Sequence, residues 1–272
     1  WRGRLRLLMN KEWIEILLQA VYEASDRIID IYNSGFEVTI KPDNSPVTIA
    51  DKESSRILYE HLNPLKIPIL SEEEKRPSFE ERNKSDKIWI IDPLDGTKEF
   101  IRENDEFCIC IALVENNKPV FGMIADPVNR EVLFGGTSLG SVHHITYFDS
   151  NFLHEDTKRF LKIPQKKTLV YSRSHFSPRV QNIVSQIEAL YGKMDVIKKG
   201  SALKFFDLAL NRAQFYPRLA PTMEWDIAAG QAIYAAMGGE VVDFTNFRPL
   251  TYNKEDLYNP FFIAKPKDLQ IQ

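Results

Sequence analysis

The run Asp92-Pro93-Leu94-Asp95-Gly96-Thr97 places two carboxylates three residues apart beside a loop whose backbone N–H groups are free to point at an anion. Gly96 permits close backbone approach, and a helix beginning near Thr97 would turn its positive end toward a phosphate. Other acids accompany this run. Glu72 and Glu73 close the preceding apolar strand, Asp51 sits in the first turn of a helix, and Asp226 follows Trp225 at the head of an apolar helix. Each alone could be a helix cap or a solvated carboxylate. Carboxylates converging without cations would repel one another and lose hydration. Mg²⁺ takes such hard oxygen ligands and leaves coordination positions for water and phosphate. Donors for a second anionic group stand elsewhere: Lys204 after the small residues Gly200-Ser201-Ala202, and Ser172 to His175 after a strand.

The elements that must carry these residues follow from periodicity. Ile14, Leu17, Leu18, Val21, Ile28 and Ile31 recur at helical spacing, predicting a first helix over Asn10–Tyr32. Phe36, Val38 and Ile40 alternate as a strand, a turn follows at 41–46, and Thr48 with Asp51 can cap a second helix to about Leu62. Short apolar strands at 67–70 and 87–91 both end in carboxylates, and strands at 107–115, 119–125 and 131–134 read as a meander. Beyond residue 165 strands and helices alternate: strand 168–173, helix 177–191, strand 194–198, helix 201–211, strand 213–219, helix 224–237 and strand 240–244. The expected division is an N-terminal extension at 1–9, an α+β half at 10–165 holding most metal ligands, and an α/β half at 166–272 holding Asp226 and the substrate loops. The stretch Ser141–Lys166 reads as a linker.

A chain of 272 residues with 43% hydrophobic content can bury a sizeable core, which excludes a disordered or fibrous protein. A net charge of −3 gives no basic field to hold nucleic acid or an anionic membrane. Cys108 and Cys110, two apart in an apolar run, point to one face of a strand and read as buried thiols of a reducing cytosol rather than a disulfide. Residues 1–8 lack the apolar stretch of a signal peptide and Met9 reads as a natural start. His143-His144 reads as a solvent-facing pair, and Tyr252, Tyr258, Phe261 and Phe262 as core and closing strand.

In order and spacing, Asp51, Glu72-Glu73, Asp92 to Thr97 and Trp225-Asp226 resemble the signature of the inositol-monophosphatase superfamily of lithium-sensitive, magnesium-dependent phosphatases. The continuation Lys98-Glu99-Phe100-Ile101 is similar to its bisphosphate-nucleotidase branch, as are 171–175, 200–205 and 225–230. The resemblance implies a layered αβαβα sandwich of the sugar-phosphatase type, mixing α+β and α/β halves. It implies two or three Mg²⁺ ions on Glu72, Asp92, the carbonyl of Leu94, Asp95 and Asp226, with Asp51 and Thr97 orienting the attacking water. The substrate, adenosine 3′,5′-bisphosphate, would meet Glu72, Leu94, Asp95, Gly96, Thr97 and Asp226 at the reacting phosphate. Ser172, His175, Gly200 and Lys204 would hold its other phosphate. The implied enzyme is cytoplasmic, a monomer or homodimer that binds no nucleic acid; peripheral attachment to the inner membrane is compatible with it and not required. An inositol or sugar monophosphatase would use the same metal site, and a silent nucleotide-binding scaffold would have no need of the Asp51–Thr97 pair.

Overall fold

The computed structural model of the chain describes residues 9–148, 151–158, 161, 164–165, 167–173 and 177–271, with the backbone alone at 148 and 151–158. Residues 1–8 lie outside the described residues. Helix α1 (Lys11–Ser34) is capped by Asn10, whose side chain accepts from the Trp13 N–H at 2.8 Å. Its apolar stripe, Leu17, Leu18, Val21, Ile28 and Ile31, is buried as the spacing requires. Met9 packs into the same core, so it belongs to the fold and not to an extension.

The strands β1 (Val38–Ile40) and β2 (Pro46–Thr48) pair as a hairpin and lead into α2 (Ile49–Leu62). Then come β3 (Ile69–Ser71), α3 (Phe79–Arg82), β4 (Lys87–Asp95), α4 (Thr97–Ile101), β5 (Cys108–Glu115), β6 (Lys118–Asp126), β7 (Glu131–Gly136), β8 (Ser141–Phe148) and β9 (Asn151–Lys158). Strands β3 to β9 stand in chain order in one seven-stranded sheet, with β3 parallel to β4 and the other pairs antiparallel. The expected linker at Ser141–Lys166 is therefore wrong: most of it forms the last two strands of this sheet. Val142 packs on one face and Ile145 and Tyr147 on the other. That alternation is interrupted to the eye by the polar residues His143, His144 and Thr146.

The central strands are buried on both sides, which is why they read as unbroken apolar runs. On β5, Ile109, Ile111 and Leu113 pack with α1 and α2 residues, while Cys108, Cys110, Ala112 and Val114 face the opposite core. The second half supplies β10 (Thr168–Ser172), α5 (Pro178–Tyr191), β11 (Asp195–Lys199), α6 (Lys204–Ala209), β12 (Tyr216–Arg218), α7 (Glu224–Ala236), β13 (Gly239–Asp243) and β14 (Phe262–Pro266). Strands β10 and β11 pair parallel, β12-β14-β13 pair antiparallel, and a bridge between Leu169 and Phe215 joins the two groups. Helices α6 and α7 fill the space between the sheets, and α5 packs outside the second through Ile183 and Ile187. The result is the αβαβα sandwich. Gly122 lets α7 lie directly on β6, since a Cβ there would stand 2.1 Å from the Ala229 carbonyl oxygen. Helix α6 begins later than expected because Ser201 takes a left-handed φ of 47°.

Candidate active site

Parallel pairing of β3 with β4 sets Ser71 opposite Ile91, and the Glu72 N–H continues the ladder to the Ile91 carbonyl at 3.4 Å. Glu72 and Asp92 thus leave the same end of two adjacent strands, the edge at which open sheets gather ligands. Three residues apart on a regular strand, Asp92 and Asp95 would face opposite sides. The register of β4 on β5 shifts between them, with Asp92 opposite Cys110 and Asp95 opposite Cys108. One extra residue in β4 restores a common side, and Pro93, which lacks an N–H, is suited to such a bulge. The Leu94 N–H donates to Asp92 Oδ1 at 3.1 Å, and the Ser54 hydroxyl donates to the Pro93 carbonyl at 2.7 Å. Gly96 then turns the chain at φ 99°, where a Cβ would stand 2.9 Å from the Glu106 carbonyl oxygen.

Asp226 arrives from the first turn of α7, where its Oδ2 accepts the Met223 N–H at 2.8 Å. One carboxylate oxygen from each of Asp92, Asp95 and Asp226 lies within 4.8 Å of the others. Burial holds all three in their neutral form beyond the usual carboxylate range: Asp92 and Asp226 well above it, with neighbouring carboxylates adding to the effect, and Asp95 at about 6. Burial also raises Glu72. Converging hard oxygens that resist ionisation together fit a divalent cation, which would remove both the repulsion and the desolvation cost. Glu72 and Leu94 line the same cleft as Asp92, Asp95, Gly96, Thr97 and Asp226. The Glu72 carboxylate is paired with the Lys41 ammonium at 3.3 Å, and Lys41 also pairs with Glu73.

Asp51 closes the cap of α2. Its Oδ2 accepts the Thr48 N–H and hydroxyl, each at 2.7 Å, and its Oδ1 accepts the Thr97 hydroxyl at 2.8 Å. Both oxygens are engaged, and the Thr97 hydroxyl is oriented by its partner at the rim of the acidic cleft.

A second cavity adjoins the first through shared residues. Asp95, Asp226, Ser172, Ser201, Lys204 and Arg218 line it, so that carboxylates and cations face one space. Lys204 is buried, and desolvation with the nearby Arg218 lowers its ammonium to about 8. It donates to the carbonyls of Lys199 at 3.3 Å and Ser201 at 2.5 Å, tying its own loop. Gly200 gives its N–H to Glu106 Oε2 at 2.7 Å, and the Ala202 N–H goes to Asp95 Oδ2 at 2.6 Å. His175 lies outside the described residues. Arg173 turns from the cavity and makes a two-pronged contact with Glu106 at 2.9 and 2.6 Å.

Sequence reasoning passed over Ser201, Arg218, Lys41 and Glu106. Arg218 ends an otherwise buried strand, a weak signal, and among the described residues its Nε is buried with no hydrogen-bond partner. The histidine pair is half-buried rather than solvent-facing: His143 stacks on Phe134 with ring centroids 5.0 Å apart, and His144 pairs with Glu131 at 3.5 Å. Tyr252 and Phe262 are core residues as expected, but Tyr258 is 56% exposed at the mouth of the acidic cleft. Both cysteines are free and buried. Among the described residues no helix is long and apolar enough to cross a membrane.

The inositol monophosphatase family model matches residues 9–263. The chain is 35% identical over 254 residues to the 3′(2′),5′-bisphosphate nucleotidase CysQ of Escherichia coli strain K12, covering 92% of this chain and 98% of that one. It is 31% identical to the protein of the same name from Haemophilus influenzae, covering 94% of each. The crystal structure of CysQ from Bacteroides thetaiotaomicron, a bacterial member of the same family, superposes with a TM-score of 0.83 at 36% identity, covering 96% of this chain and all of that one.

Proposed function

The chain belongs to the inositol monophosphatase family, and we propose that within it the chain is a 3′(2′),5′-bisphosphate nucleotidase, hydrolysing adenosine 3′,5′-bisphosphate to AMP and phosphate. The observation that carries the reading is the pair of adjoining cavities, one acidic and one lined by Lys204, Arg218 and Ser172, sharing Asp95 and Asp226. A substrate with one reacting and one anchoring phosphate needs both; a simple sugar monophosphate needs only the first. Glu72, Asp92, the Leu94 carbonyl, Asp95 and Asp226 would hold two or three Mg²⁺. Bound there, such ions lower the pKa of water and stabilise the charge on the departing ester oxygen.

The chain's own groups supply the rest. Asp51 holds the Thr97 hydroxyl proton, so the Thr97 oxygen offers lone pairs to a water and fixes its direction. Arg218 and Lys204 supply positive charge to the second phosphate, and the Ser172 hydroxyl a donor. Lys41 pairs with Glu72 and Glu73, so its ammonium would compete with a cation for the Glu72 carboxylate.

The test is turnover of adenosine 3′,5′-bisphosphate, 3′-AMP and inositol 1-phosphate under the same Mg²⁺ concentration. The bisphosphate is expected to have the highest kcat/KM, and Arg218→Ala to raise its KM by roughly 10- to 100-fold while 3′-AMP is nearly unaffected, the loss of a hydrogen bond to a charged group. A preference for inositol 1-phosphate overturns the assignment. Equal losses on both nucleotides would place Arg218 in the common machinery.

A further inference from the structure

Against Asp95, on the neighbouring strand β5, stand the two thiols, Cys108 opposite Asp95 and Cys110 opposite Asp92. Cys108 and Cys110 alternate on β5 with Ile109 and face the same core, so their Sγ atoms lie 3.9 Å apart. Cys108 Sγ is 4.0 Å from Asp95 Oδ2 and 3.5 Å from Ser201 Oγ. One ligand atom from each of Asp95, Cys108 and Cys110 lies within 4.8 Å of the others. A point equidistant from three atoms so spaced is no more than about 2.6 Å from each, against about 2.3 Å for a zinc–thiolate bond and about 2.1 Å for zinc–carboxylate.

We propose that Cys108, Cys110 and Asp95 form a binding site for one thiophilic divalent cation of the zinc or cadmium class, and that filling it switches the enzyme off by withdrawing Asp95 from the hard-cation site. Thiolates select soft metals, while the hard oxygens of Asp92 and Asp226 suit Mg²⁺. Asp95 is the residue common to both sets. Its neighbours give access and charge balance. Asp95 and Ser201 line the adjoining cavity and both lie against Cys108, so the buried thiols sit one side chain behind its wall. Binding would release the two thiol protons to solvent and leave two thiolates and one carboxylate around a divalent ion, a net negative unit beside the buried ammonium of Lys204. Ser201 Oγ or water completes a four-coordinate shell. The binding half of the proposal stands on geometry alone; the switch rests on the phosphatase reading.

The experiment titrates the whole protein with Cd²⁺ in a thiol-free buffer, following the ultraviolet cadmium–thiolate charge-transfer band. One equivalent is expected to saturate the band, and X-ray absorption on that complex should give two sulfur ligands. In parallel, Zn²⁺ and Cd²⁺ should inhibit Mg²⁺-supported turnover. A Cys108→Ala/Cys110→Ala variant should lose the band and need about 10- to 100-fold more cation for half-inhibition. Only oxygen and nitrogen ligands on the wild-type cadmium overturn the site, whether or not the variant folds. A thiolate band with turnover unchanged, or a folded variant inhibited as readily as wild type, overturns the switch. A protein that shows the band but hydrolyses none of the phosphate esters refutes the phosphatase reading and leaves the site standing.

Discussion

A hydroxyl has one proton to give, and at Thr97 two acceptors compete for it: Asp51 Oδ1 at 2.8 Å and the Leu94 carbonyl at 3.3 Å. The shorter, charge-assisted bond wins. With Asp51 Oδ2 already committed to Thr48, the carboxylate cannot swing away to act as a free base. On the proposed reading the pair would therefore position a water rather than carry its proton far. Thr97→Val, nearly isosteric, is expected to lower kcat by 10²-fold or more with little change in Mg²⁺ affinity, the scale seen when a pre-organised polar group at a reacting centre is lost. Asp51→Asn should behave alike, and the double variant should be little worse than either single one, because residues acting as a unit lose their effects non-additively. Steady-state kinetics with a Mg²⁺ titration on the three variants decides it; fully multiplicative losses would assign the two residues to separate steps.

Among elements, the loop between β11 and α6 is held at both ends by carboxylates from the first half of the chain. Glu106, just before β5, takes the Gly200 N–H and the Arg173 guanidinium, and Asp95 takes the Ala202 N–H. Because among the described residues the Glu106 side chain bonds Arg173 and Gly200 and makes no hydrogen bond to Asp92, Asp95 or Asp226, its loss should loosen chiefly the anchoring cavity. Glu106→Ala is expected to raise KM for the bisphosphate roughly tenfold, as for other outer supports, and to leave 3′-AMP nearly untouched. Adding Arg173→Ala should cost little more, since both serve one contact; a larger loss on 3′-AMP than on the bisphosphate would refute the loop's separate role. This clasp shows where the sequence is readable and where it is not. Asp51, Asp92, Asp95 and Asp226 could be found because their chemistry is written in residue types beside turns and caps, and the helices because a 3.6-residue stripe is a local signal. The common facing of Asp92 and Asp95 depends on a bulge, which shows only in the pairing partner's register. Glu106 meets Gly200 across nearly a hundred residues, and no local pattern marks it. The hairpin of β8 and β9 is not legible because the half-buried His143 and His144 find their partners, Phe134 and Glu131, only in the folded sheet.

For the molecule as a whole, burying the acidic cluster costs stability that a bound cation would return. Burial lifts Asp95 from 3.8 to about 6, and lifts Asp92 and Asp226 further in the same direction. In the metal-free protein these groups hold their protons more tightly folded than unfolded. Their contribution to stability is therefore present below the unfolded value and is lost as pH rises through the folded one. For Asp95 that window runs from about pH 4 to about pH 6, and the loss from the other two continues above it. On the proposed reading, Mg²⁺ would bind only the ionised cluster of the folded chain and so restore what ionisation removes. The melting temperature gained on adding Mg²⁺ to chelator-treated protein should be larger at pH 7.5 than at pH 5. Asp92→Asn keeps an acceptor for the Leu94 N–H while deleting one of the crowded charges. In chelator at pH 7.5 this variant should melt above the wild type, yet gain less from Mg²⁺ and be catalytically impaired by 10²-fold or more. Calorimetric scans of both proteins at the two pH values, with and without Mg²⁺, read all of these at once. A metal-free Asp92→Asn protein that melts below wild type at pH 7.5 would mean that Asp92 holds the β4 bulge together more than it strains the site.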